Sequence, residues 1–126
     1  MKPLLLLPLS FLTACAATVA ATPALPEGPA RIGETVRVDG PTVRPLAIVE
    51  DSRCPVDVAC IWAGRLVIRA EIGTGRGKQE MVLTLGEPVP VADGMLTLRD
   101  ATPVTRHGQP LKPGDYRFTF AFAGGF

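Results

Sequence analysis

The chain is poor in the residues that carry chemistry. Among 126 residues there is one histidine, one tryptophan, one tyrosine and three cysteines, and the only serines are Ser10 and Ser52. Ser52 is followed by Arg53 with no glycine-flanked elbow, and His107 would have to serve as every imidazole base, so no nucleophile and base pair is present. Glu50 and Asp51 are adjacent and point apart on an extended chain, which rules out a cooperating pair of carboxylates. No catalytic residue and no cofactor is therefore expected, and the chain reads as a non-enzyme. Charge of one sign is missing as well. Thirteen Lys and Arg stand against 12 Asp and Glu, which leaves no electrostatic footprint for a nucleic-acid partner. Helical apolar stripes and apolar runs long enough to span a bilayer are also absent.

Metal chemistry is thinly supplied. Glu50, Asp51 and Asp57 lack the alternating spacing of an EF-hand loop. Cys54 and Cys60 are separated by five residues, not by the two of a thioredoxin-type or zinc-ribbon pair. A phosphate loop at Gly73–Lys78 (GTGRGK) fails on pattern, because GxxxxGK[ST] and a following helix are both missing. No metal site is expected. A metal-handling reading would have to draw on His107 with Met81 or Met95 and a carboxylate, although His107 in a polar RHGQP turn reads as a solvated loop residue.

What is present begins at the N-terminus. Met1 and Lys2 precede Pro3–Leu12 (PLLLLPLSFL), an apolar run of export-signal length. The run ends in Leu12-Thr13-Ala14-Cys15, and this LTAC tetrapeptide resembles the lipobox of bacterial lipoproteins. The resemblance implies a signal peptide over residues 1–14, lipidation of Cys15, and a membrane anchor. The absence of Asp at position 16 implies, by the sorting rule of enteric bacteria, an outer-membrane lipoprotein facing the periplasm. The alternative is an ordinary signal peptide cleaved after Val19-Ala20-Ala21. Residues 16–30, rich in Ala, Thr, Pro and Gly, read as a tether between the anchor and a domain at 31–126.

Within that domain, short runs of period-two alternation are broken by Gly, Pro and Asp, which predicts an all-β fold: a small antiparallel β-sandwich, immunoglobulin-like, or a barrel. The strongest strand is expected over Trp62–Ile72, with Trp62, Leu66, Ile68, Ala70 and Ile72 on the core face. Gln79–Leu85 completes a hairpin with it. Pro88 and Pro90 predict an edge segment, Met95–Asp100 another strand, and Asp115–Phe122 a final strand burying Tyr116, Phe118, Phe120 and Phe122. Glu34–Val38 and Val43–Val49 are two more, the second with faces that the unbroken Leu46-Ala47-Ile48-Val49 run leaves unassigned. Leu111–Tyr116 (LKPGDY) resembles the approach to the tyrosine corner of fibronectin type III domains, one residue short.

The unusual residues gather in Glu50–Gly64 (EDSRCPVDVACIWAG). With Cys15 assigned to the anchor, Cys54 and Cys60 form an even pair in an exported protein, and a disulfide is expected. Trp62 is expected to pack in the core against it. Asp51 and Arg53 are expected to form a local ion pair or an Asx-type turn bond that shapes the loop. Asp51, Arg53, Asp57 and Trp62 are the candidate binding residues. The stretch DSRCP followed by C-x-W-A-G resembles a signature of small exported proteins and lipoproteins of bacteria, a resemblance that brings no activity with it. The expected function is a membrane-anchored periplasmic binding or structural module. Its expected partners are the membrane, through the lipid, and an envelope protein. The alternatives are a protease inhibitor that inserts the loop 54–60, or the metal-handling protein above.

Overall fold

The computed structural model describes residues 25–124 together with Pro3, Pro8, Ser10 and residues 12–15. Most of the expected signal peptide, and residues 16–24 of the expected tether, lie outside the described residues. Among the described residues seven strands form: β1 Val36–Arg37, β2 Thr42–Asp51, β3 Leu66–Thr74, β4 Gly77–Thr84, β5 Val89–Val91, β6 Gly94–Thr102 and β7 Arg117–Ala123. A short 3-10 turn at Pro113–Asp115 leads into β7. The strands make two antiparallel sheets, β1-β2-β3-β4 and β5-β6-β7, packed as a small sandwich with no barrel closure. Within each sheet, neighbours in sequence are neighbours in space.

The core follows from alternation. On β3, Leu66, Ile68, Ala70 and Ile72 are buried, while Arg69 is turned to water and pairs with Glu80 of β4 at 2.6 Å. Leu83 of β4, Leu96 and Leu98 of β6, and Phe118 and Phe120 of β7 meet them from the other strands. Two β-bulges in β2, between Pro45 and Ala47 and between Ile48 and Glu50, explain why its alternation is blurred in the sequence. Each bulge adds a residue on one strand only and breaks the period-two count. Pro90 sits in β5, an edge strand paired only with β6, where a missing N–H is tolerated.

Two boundaries differ from expectation by more than two residues. The β3 strand starts at Leu66, four residues after Trp62, so Trp62 belongs to a loop. At the N-terminal side, residues 26–30, expected in the tether, join the fold. The Arg37 N–H donates to the Pro26 carbonyl at 3.0 Å, and fully buried Ala30 exchanges two backbone bonds with Phe118. This segment covers the free edge of β7 and links it to β1, which satisfies edge groups that would otherwise be open to pairing.

The register fixes two ends. At one end lie Asp51 opposite Leu66, Thr102 opposite Arg117, and the long loops 52–65 and 103–116. At the other lie Thr42 opposite Gly73, the β3–β4 hairpin tip and the Asp93-Gly94 turn.

Candidate functional site

The long-loop end is held by a cluster that joins the two sheets. Asp51, the last residue of β2, takes a two-pronged ion pair from Arg53: Nε to Oδ1 and Nη2 to Oδ2, both 2.9 Å. Both side chains are largely buried, 11% and 14% exposed. The Tyr116 hydroxyl donates to the same Asp51 Oδ2 at 2.6 Å. Arg53 further donates from Nη1 to the Ala101 carbonyl at 3.3 Å and lies 6.0 Å from the Tyr116 ring centre, within cation–π range. Tyr116 stacks on Phe118, centroids 5.7 Å apart. A carboxylate this buried is tolerable only because each oxygen has a charged or hydroxyl donor.

The electrostatics follow the geometry. Burial works to raise the Asp51 carboxyl, but the bonds from Arg53 and Tyr116 outweigh it and hold the group below its ordinary value. The bond to Asp51 raises the Arg53 guanidinium, against the opposing effect of burial. Burial, reinforced by the bond to the Asp51 carboxylate, pushes the Tyr116 hydroxyl up to about 12. The expected pairing of Asp51 with Arg53 is present; the partnership of both with Tyr116 is a finding of the structure. Tyr116 does not form a tyrosine corner, since its hydroxyl crosses to the other sheet.

From this cluster the loop is pinned at successive points. Ser52 N–H donates to the Arg65 carbonyl at 2.8 Å, and Arg65 N–H returns a bond to Ser52 Oγ at 3.0 Å. Cys54 N–H donates to the Ala63 carbonyl at 3.0 Å. Cys54 and Cys60 are joined, Cα atoms 5.9 Å apart. The loop is also tied to 103–116: Val56 N–H to the Thr105 carbonyl at 2.9 Å, Thr105 Oγ1 to the Arg53 carbonyl at 3.2 Å, and His107 N–H to Asp57 Oδ1 at 2.8 Å. That last bond holds Asp57 below its ordinary carboxylate value. Gly64 has φ of +68°, and a Cβ there would collide with the Ser52 carbonyl oxygen. Only glycine supplies both the left-handed backbone and the close approach.

Trp62 is 82% exposed and Ile61 93% exposed, with Val56, Val58 and nearby Val104 also open to solvent. The expected packing of Trp62 in the core is thus overturned. The reason is local: the bonds from Ser52 to Arg65 and Cys54 to Ala63 make the loop a closed excursion beyond the sheet end, and the core directly inside is already filled by Leu66, Tyr116 and Phe118. Sequence reasoning marked Asp51, Arg53, Asp57 and Trp62, and the structure brings all four to this one end. It missed Ile61, Thr105 and Tyr116.

A cleft of about 490 Å³ lies between the loops, lined by Asp51, Arg53, Pro55, His107, Pro110 and Tyr116 among others. A second of about 500 Å³ lies at the hairpin end, where Met81 faces Pro90 and Val91. His107 and Met81 therefore sit at opposite ends and do not converge on one ion. Among the described residues no three His, Cys, Asp or Glu side chains come together as a metal site. The Val58 N–H donates to the Pro55 carbonyl at 3.1 Å, which makes 55–58 a tight turn, not the extended strand that pairs with a protease cleft. Cys15 is unpaired and exposed.

No protein-family model, no curated protein and no solved structure matches the chain.

Proposed function

We propose that the chain is an exported, membrane-tethered binding module without catalytic activity, lipidated at Cys15 and facing the periplasm, whose loop Cys54–Trp62 is the recognition surface. The observation that carries the reading is the exposure of Ile61 and Trp62 on a loop fixed by a disulfide and by backbone bonds to two other segments. Burying either side chain would contribute roughly 1.5–3 kcal/mol to folding; the fold forgoes that gain at both positions. Concentrated exposed apolar surface in a small protein marks an interaction site. A loop already held in one shape loses little entropy on binding, and tryptophan is enriched among the residues that dominate interface energetics.

The anchor is tested by feeding cells a clickable fatty acid. Wild-type protein takes up the label and Cys15→Ala protein does not; equal labelling of both removes the anchor. The recognition surface is tested by crosslinking the full chain in its membrane. Wild type gives an adduct that Ile61→Ser/Trp62→Ser loses while keeping its thermal unfolding midpoint; adducts identical in both proteins remove the surface.

A further inference from the structure

The position at which the chain enters the fold decides what the apolar loop faces. Pro26 is bonded to Arg37, Arg37 pairs with Thr42, and Thr42 with Gly73, so the chain enters at the hairpin end. The Ile61-Trp62 loop stands at the other end, beyond Asp51 and Leu66. The ten residues of β2 that separate the two ends cover roughly 30 Å at about 3.3 Å each.

We infer that the loop docks into an apolar pocket of an envelope protein on the side away from the bilayer that holds Cys15, and does not enter that bilayer. The inference rests on the tethered reading above. From Cys15 to Pro26 the chain reaches at most about 40 Å, even drawn out straight. The loop could touch the anchoring bilayer only with the domain turned end over end and about three quarters of that reach spent running back alongside it.

The rim of the patch points the same way. Arg65 is held by Glu50 at 2.6 Å, and Asp57 takes the His107 N–H and feels the Arg106 charge. A rim of mixed and mutually paired charge gives anionic headgroups little to attract, whereas an apolar centre with a polar rim is the anatomy of a protein interface. Trp62, Ile61, Val56, Val58 and Val104 are all exposed and all belong to the two loops that meet at this end. The 103–112 loop, bonded to the 54–60 loop at Val56 and Asp57, supplies adjoining surface.

Two measurements test it. The first places a photocrosslinking residue at position 58, 104 or 76 of the full chain in cells that also carry the fatty-acid label. Positions 58 and 104 are expected to give the same discrete protein adduct and position 76, at the hairpin tip, none. Ile61→Asp should cut the yield about tenfold or more, as for an apolar hot-spot residue, while Val82→Asp, an exposed apolar position on the sheet, leaves it unchanged. Adducts of phospholipid at 58, or a protein adduct indifferent to Ile61→Asp, overturn the inference. The second mixes Cys15→Ala protein with vesicles of phosphatidylethanolamine and phosphatidylglycerol and follows the emission of Trp62, the only tryptophan. No blue shift is expected; a shift overturns the inference. Loss of the fatty-acid label in the first experiment identifies a failure of the tether, separately from the behaviour of the loop.

Discussion

The Tyr116 hydroxyl and the Asp51 carboxylate, 65 residues apart in sequence, meet at 2.6 Å and clasp the two sheets at the end that carries the exposed loop. Tyr116→Phe removes only the hydroxyl and leaves the stacked ring on Phe118. A hydrogen bond to a charged group contributes roughly 1.5–3 kcal/mol, so denaturant unfolding should show a loss of that order. Arg53→Ala should cost more, because it strips two bonds from a largely buried carboxylate and leaves that charge without its cation. A double-mutant cycle between positions 53 and 116 should be non-additive, since both donate to Asp51 Oδ2. Additive losses would show that the cluster does not act as a unit.

The same cluster sets a pH window. Tyr116 has its folded pKa raised from 10.0 to about 12, so its contribution to stability is complete below pH about 10 and is lost as pH rises through about 12. Asp51 has its folded pKa lowered, so its contribution is present above the ordinary carboxylate value of 3.8 and is lost as pH falls through the lower folded value. Phenolate ultraviolet absorbance reports Tyr116 directly, because it is the only tyrosine. Asp51→Asn should bring its titration down toward 10 without restoring it fully, burial being unchanged. A wild-type midpoint near 10 would contradict the hydrogen bond.

How much of this was legible in the chain depends on the range of the signal. Alternation on Leu66-Ile68-Ala70-Ile72 and on Phe118-Phe120-Phe122 is a local property and placed the strands; the β2 bulges defeated it because an extra residue on one strand leaves no mark except a broken period. The pairing of Cys54 with Cys60 and of Asp51 with Arg53 also spans few residues. The sequence neighbours of Tyr116 resemble the approach to a tyrosine corner, whereas its hydroxyl's partner comes from the other sheet. Trp62 misled for a related reason. Counting by twos from Ile72 places it on the core face, but alternation says nothing about where a strand stops, and Gly64, whose left-handed backbone marks the stop, fits that count equally well.

Gly64→Ala tests that stop. The substitution forces a side chain into left-handed backbone at a cost of roughly 1–3 kcal/mol and drives its Cβ into the Ser52 carbonyl oxygen. Relief requires breaking the Ser52 to Arg65 bond that closes the loop. A destabilisation of at least about 2 kcal/mol is expected, with faster amide exchange at Ser52 and Cys54. Unchanged exchange at both would show that the close approach does not hold the loop.

Opening the disulfide should separate stability from shape. Replacing Cys54 and Cys60 by serine releases a loop short enough that the chain-entropy model gives roughly 2–3 kcal/mol. The Asp51, Arg53 and Tyr116 cluster lies outside the closed ring, so Tyr116 should still titrate near 12 while Trp62 gains mobility, seen as lower fluorescence anisotropy. Loss of both signals together would mean that the disulfide, and not the cluster, positions the loop.

Trp62→Ala is the sharpest separation of a structural from a recognition role. A core tryptophan truncated to alanine costs about 3–5 kcal/mol. A side chain that is 82% exposed has little packing to lose, and surface substitutions stay within about 0.5 kcal/mol. The unfolding midpoint in denaturant should therefore be indistinguishable from wild type, with the same m-value, since no buried surface is redistributed. Gly64→Ala, two residues further on, should unfold early. Equal stability at position 62 together with a large loss at position 64 would locate the holding force of the loop in its backbone closure, and leave the indole free for a partner. A loss of several kcal/mol at position 62 would instead restore the tryptophan to the core.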